Sequence, residues 1–145
     1  MVNQDPQPEV FTSNHVYAAA TAANTRTTNT IFTNQSHTEE VRIYAIQVQV
    51  VDSNTGIDVS AAATTVLDFD ITINAGANAV PSNSFDAAAI ARSEERQISF
   101  SAPIVVDFKQ PLRVTLENNI ATQAGVGLRW IITLIGETGV IKRVC

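Results

Sequence analysis

The side chains of this sequence that could do chemistry are few and scattered. Its two histidines, His15 and His37, stand apart, and neither lies in a nucleophile motif such as G-x-S-x-G. Both read as solvated surface residues. The single cysteine, Cys145, can form no internal disulfide. With two distant histidines it cannot supply the three or four clustered ligands that zinc needs. Asp68 and Asp70, Glu39-Glu40 and Glu94-Glu95 are paired carboxylates, the raw material of glycoside hydrolysis. The chain has one Trp and two Tyr, so no aromatic platform for a sugar accompanies them, and they read as solvated. Gly125-Val-Gly127 precedes a strand pattern rather than a helix, which suits a turn and not a phosphate cradle. Only Asp52-Ser-Asn54-Thr-Gly56-Ile-Asp58 has the alternate oxygens that calcium favours, at Asp52, Asn54 and Asp58. A calcium loop of the EF-hand type needs a further oxygen where Gly56 stands and a closing glutamate where Ala63 stands. The same residues make a good hairpin turn, and we read them so. No cofactor and no metal are expected, and an enzyme is the least supported class.

The elements around these residues are strands. The sequence has 145 residues, of which 16 are Val, 14 Ile and 16 Thr, against 5 Leu. Side chains stiff at χ1 favour pleated sheet over helix, so a mainly helical protein is excluded. Residues 1–15 are polar, contain Pro6 and Pro8 and lack periodicity, which predicts an extended N-terminal arm. Residues 16–145 are expected to form one domain. Strand patterns follow over 16–23, 25–33, 41–51, 66–74, 97–102, 104–108, 112–117, 126–135 and 140–144. In the clearest, Leu67, Phe69, Ile71 and Ile73 alternate with Asp68, Asp70, Thr72 and Asn74. Residues 76–84 read as a loop, 85–96 as a short helix capped by Ser84 or Asp86, and Gly136-Glu-Thr-Gly139 as a turn. About eight strands with long connections near 52–65 and 76–96 predict an all-β, antiparallel two-sheet sandwich. A jelly roll is the first choice of topology and an immunoglobulin-like sandwich the second; the latter lacks its Cys…Trp…Cys spacing.

Charge narrows the partners. The formal charge is −5 and no basic run exceeds Lys142-Arg143, which argues against nucleic acid and against anionic membranes. No apolar stretch approaches the length of a membrane helix, and the first nine residues lack the regions of a secretion signal. An interaction protein remains. Ile131, Ile135 and Val51 fall opposite the core pattern of their strands, and Val10 and Phe11 are the apolar residues of the arm. Val10, Phe11, Ile131 and Ile135 are therefore the interface candidates.

The string Thr30-Ile-Phe-Thr-Asn-Gln-Ser-His-Thr-Glu-Glu-Val-Arg-Ile-Tyr-Ala-Ile-Gln-Val48 ends a strand in Thr-Asn-x-Ser, turns, and restarts a long β-branched strand. In this cadence the chain resembles the β-sandwich decoration (cement) proteins of tailed-phage heads. The resemblance implies a non-enzymatic virion protein, made in the host cytoplasm. It also implies a homo-oligomer, a trimer in the first instance, that ties the major capsid protein together on the shell. It transfers no site residue. The rival readings are a carbohydrate- or cell-surface-binding module, calcium-assisted at Asp52–Asp58, and a phage tail or fibre component.

Overall fold

The computed structural model describes residues 7–60, 69–75, 78–122 and 127–141. In chain order the elements are β1 (Gln7–Tyr17), β2 (Arg26–Thr33), β3 (Glu39–Asp52), β4 (Phe69–Ala75), β5 (Asn78–Asp86), α1 (Ala87–Arg92), β6 (Gln97–Val106), β7 (Pro111–Asn118) and β8 (Leu128–Ile141). The strands form two antiparallel sheets, β1-β8-β3-β6 (sheet A) and β2-β7-β4-β5 (sheet B). The protein is an all-β two-sheet sandwich. Its pairing is nested: β1 pairs with β8, β2 with β7, β3 with β6 and β4 with β5. Two further pairings, β3 with β8 and β4 with β7, join these ribbons into sheets.

The core follows from period-two alternation on the four central strands. Ile43, Ile46, Val48 and Val50 of β3 and Trp130, Ile132 and Leu134 of β8 meet Phe69, Ile71 and Ile73 of β4 and Leu112, Val114 and Leu116 of β7. Phe69 bridges the sheets, tilted on Trp130 at 4.4 Å between centroids and edge-on to Tyr17 at 5.0 Å. Helix α1 joins sheet B to sheet A. Asp86 caps it by accepting from the Ala89 amide at 3.1 Å, and Ala87, Ala88, Ile90 and Ala91 are buried. Alanines let the helix backbone lie close on β3 and β4.

Several boundaries differ from the sequence expectation. The arm over residues 1–15 is, from Gln7 onward, edge strand β1, paired with β8 from Gln7↔Thr138 to Tyr17↔Leu128. Its inward residues Ser13, His15 and Tyr17 alternate correctly but two of them are polar, so no apolar period marked the strand. The expected strand over 16–23 ends at Tyr17. The expected loop over 76–84 contains most of β5, an edge strand of sheet B, where Pro81 is tolerated. Pro103 likewise does not split β6, the other edge of sheet A. The helix is shorter than expected, Ala87–Arg92.

The expected turn at Gly136–Gly139 lies instead within the C-terminal half of β8. Both ladders of β3 slip between Ile43 and Ala45, which makes Tyr44 a bulge on a central strand. The bulge presses the β3 backbone onto Gly136. A Cβ there would lie 2.0 Å from the Arg42 carbonyl oxygen. Gly136 is required by close approach, not by a turn.

Candidate interaction surface

Each strand of sheet A buries one face, and the other face forms rows across the sheet. The middle three rows are Val10–Ile135–Ala45–Ser99, Thr12–Thr133–Gln47–Gln97 and Asn14–Ile131–Gln49. None carries a charge. Charges return in the flanking rows, Pro8–Glu137–Arg42–Val105 and Val16–Arg129–Val51. Val10 is 58% exposed and Val16 60% exposed, while Ile131 and Ile135 are half-buried among their neighbours. A shallow depression of about 220 Å³ lies beside Ile131 and Thr133, edged by Gln47, Gln49, Glu95 and Arg96.

The outer face of sheet B is of the opposite kind. Its rows are Arg26–Glu117–Asp70, Thr28–Thr115–Thr72 and Thr30–Arg113–Asn74. Arg26 pairs with Glu117 at 3.5 Å, and the hydroxyls of Thr28 and Thr115 lie 3.0 Å apart. A polar depression of about 240 Å³ is lined by Arg26, Asp70, Thr72, Asn74, Thr115 and Glu117.

Of the expected interface residues, Val10, Ile131 and Ile135 share the outer face of sheet A, with Val10 directly opposite Ile135. Phe11 does not join them. It points inward and stacks on Phe32 of β2, with centroids 4.7 Å apart and planes 18° apart. It packs against the chain's own core because residue 11 lies one step out of phase with residue 10 on the pleat.

Of the candidate calcium ligands, Asp52 and Asp58 are engaged within the chain itself. The Asp52 carboxylate accepts from the amides of Asn54 at 2.8 Å and Thr55 at 3.3 Å, and its carbonyl accepts from Gly56 at 2.8 Å. This is an Asx turn. Asp58 accepts from the Ser60 amide at 2.8 Å, from Gln49 at 3.0 Å and from the Arg96 guanidinium. Burial alone pushes its carboxyl upward, but the Ser60 amide and Arg96 hold it well below the usual carboxylate range. Among the described residues no three His, Cys, Asp or Glu side chains gather as a metal site. Asp68 and Cys145 lie outside the described residues.

The histidines separate. His37 is exposed and packs on Phe108 at 3.7 Å between ring centroids. His15, expected on the surface, is buried between the sheets. Its Nε2 lies 2.9 Å from Ser13 Oγ and its Nδ1 2.8 Å from Thr27 Oγ1. Asn29 donates to Ser13 Oγ at 3.0 Å, and the Tyr17 hydroxyl donates to the Leu116 carbonyl at 2.7 Å. Burial lowers the His15 pKa to about 4, so the ring is neutral at pH 7. These groups form a polar seam where edge strands β1 and β2 meet.

Sequence reasoning also missed two asparagines. Asn34 donates to the carbonyls of Glu39 at 3.0 Å and Val106 at 2.9 Å, pinning the crossing from sheet B to sheet A within the Thr-Asn-x-Ser string. Asn118 accepts from the Thr25 amide at 2.7 Å and donates to the carbonyls of Ala22 and Ile120. The signal was an Asn at a strand end, which composition alone does not separate from a turn residue.

No family model matches the chain, and no curated protein is similar to it in sequence.

Proposed function

We propose that the chain is a non-enzymatic structural subunit of a virion, a capsid decoration or cement protein that acts through subunit contacts. One observation carries the reading: three consecutive rows on the outer face of sheet A hold no charge, in a chain of net charge −5. Folding requires only one buried face per sheet, so uncharged middle rows on the second face suit a protein partner. The scarcity of lysine, two in 145 residues, agrees with it. The nested pairing of the strands is what rolling one long hairpin into two sheets produces, and we read it as jelly-roll winding. The subunit self-associates and binds the major capsid protein, without nucleic acid, membrane or cofactor.

The test is binding to shells. Purified protein is mixed with tailed-phage capsids stripped of decoration and sedimented. Co-sedimentation at a fixed stoichiometry, with a rise in shell melting temperature, is expected. Protein that stays in the supernatant of every shell tested overturns the virion reading.

The polar depression on sheet B favours a second reading. Arg26, Asp70, Asn74 and Glu117 offer the donors and acceptors that a hydroxyl-rich ligand such as a glycan uses. A glycan array separates the two readings, and binding lost on Asp70→Ala selects the second.

A further inference from the structure

We infer that the outer face of sheet A is a two-fold contact with a second copy of this chain, with the axis passing through Thr133. The inference deepens the assembly reading above and rests on it, but not on the virion context. The outward residues of β8 are, in order, Arg129, Ile131, Thr133, Ile135 and Glu137. This series is its own complement when reversed. With the two β8 strands antiparallel across the contact, Arg129 of each copy meets Glu137 of the other. Ile131 meets Ile135, and Thr133 meets itself. Only a two-fold brings all five positions into register at once and uses the same patch on both copies.

Three observations say that the occupant is a second copy. First, the charges are complementary. Arg129 is exposed and makes no ion pair with a described residue, while Glu137 accepts a hydrogen bond from the Tyr44 hydroxyl. Second, the rows between them carry no charge; at their edge Arg96 pairs with Asp58, and Glu95 lines the depression beside Ile131. The depression beside Ile131 offers room for Ile135 of the second copy. Third, the area suffices. Three strands over nine residues and a fourth over five, spaced about 4.8 Å apart and rising about 3.4 Å per residue, give about 520 Å² per copy. The total of about 1,000 Å² is what a specific interface must clear.

The experiment is a charge swap read by analytical ultracentrifugation of the full chain. The wild-type protein is expected to be a dimer. Arg129→Glu and Glu137→Arg, each alone, reverse two symmetry-related pairs at once and should weaken the dimer about a hundredfold. An equimolar mixture of the two variants should form a heterodimer, because each copy then supplies the sign the other lacks. The double variant should dimerise with itself. Melting curves check that each variant is folded. Should Glu137→Arg unfold through loss of the Tyr44 contact, Thr133→Lys sets two like charges at the axis and should give a folded monomer. A wild-type monomer or trimer overturns the two-fold, as do single reversals that remain dimeric or a mixture that does not recover. A dimer that passes every swap but binds no shell keeps the two-fold and removes only the virion reading. A monomer that binds shells does the reverse.

Discussion

The outer faces of the two sheets are built on the same pleat and yet differ in kind. On sheet B, Arg26, Glu117, Asp70 and Arg113 break up the threonine rows, as expected of a surface that only has to stay in water. On sheet A the corresponding rows hold Val10, Ile135, Thr133, Ile131 and three glutamines, with charge at the ends and, beside Gln49 at one edge, at Asp58, Glu95 and Arg96. The interior does not demand this difference. Both sheets contribute matching apolar layers to the same core, and an antiparallel sheet folds with either kind of outer face. On the proposed reading the asymmetry tracks what each face meets after folding, sheet B being a solvated face with a polar hollow and sheet A a contact face.

The sharpest way to break this comparison lies on β8, where neighbouring residues serve opposite faces. Ile132 is fully buried and Ile131 is half-buried on the outside. Ile132→Ala leaves a cavity in the core and should cost about 2–5 kcal/mol of folding stability. Ile131→Ala should change monomer stability by less than about 0.5 kcal/mol while weakening self-association. Urea denaturation of each variant, beside sedimentation of each, checks the pair. Equal losses of folding stability would show that something within the chain packs over the outer face. Next in size is Gly136→Ala, expected to cost roughly 2–3 kcal/mol, because the added Cβ meets the Arg42 backbone at the Tyr44 bulge and the ladder must shift. A variant as stable as wild type would show that the bulge on sheet A is soft.

How much of this was legible depends on which side chains carry each element. The strands 41–51, 66–74 and 126–135 declared themselves because apolar residues alternate on them, and α1 because alanines follow a capping Asp86. The edges did not. Strand β1 faces inward with Ser13 and His15, and β5 contains Pro81, so both lack the apolar period though both are paired. Gly136 and Gly139 look like turn residues, but Gly136 is there because two backbones touch. That reason depends on a bulge in a strand more than ninety residues earlier, which no local pattern encodes. The outer face of sheet A was partly legible, since Ile131 and Ile135 are out of phase with Trp130, Ile132 and Leu134. Phe11 misled because its strand had not been identified, and without a strand no phase assigns it to a face.

The polar seam gives an effect that depends on pH. His15 is neutral in the folded protein with its pKa lowered to about 4, against 6.5 for an unperturbed histidine. The unfolded chain therefore binds a proton that the folded one refuses between those values. Stability is full above pH 6.5 and falls as the pH drops through 4, by about 3 kcal/mol in total. Denaturation at pH 7 and pH 4.5 measures the loss, and His15→Gln should flatten it while retaining hydrogen bonds to Ser13 and Thr27. A pH slope unchanged in the variant would place the titration elsewhere. The seam holds β1 on the sandwich, so the loss should precede any change at the contact face, to which β1 contributes Val10.

The smallest expected effect is a control that sharpens the comparison most. Thr115 occupies on sheet B the place that Thr133 occupies on sheet A: the middle of a central strand's outer face, partly exposed, in a row of uncharged residues. Thr115→Lys removes one exposed hydroxyl contact with Thr28 and adds a charge to a face that already carries Arg26, Arg113, Asp70 and Glu117. It should move folding stability by less than about 0.5 kcal/mol and leave the sedimentation of the protein unchanged. The same substitution at Thr133 should leave stability equally intact and abolish the dimer. Because residue type, exposure and strand position are matched, a difference between the two variants can come only from what each face meets. If Thr115→Lys also dissociates the dimer, the contact runs over sheet B, and the charged rows there are pairing groups rather than a solvated surface.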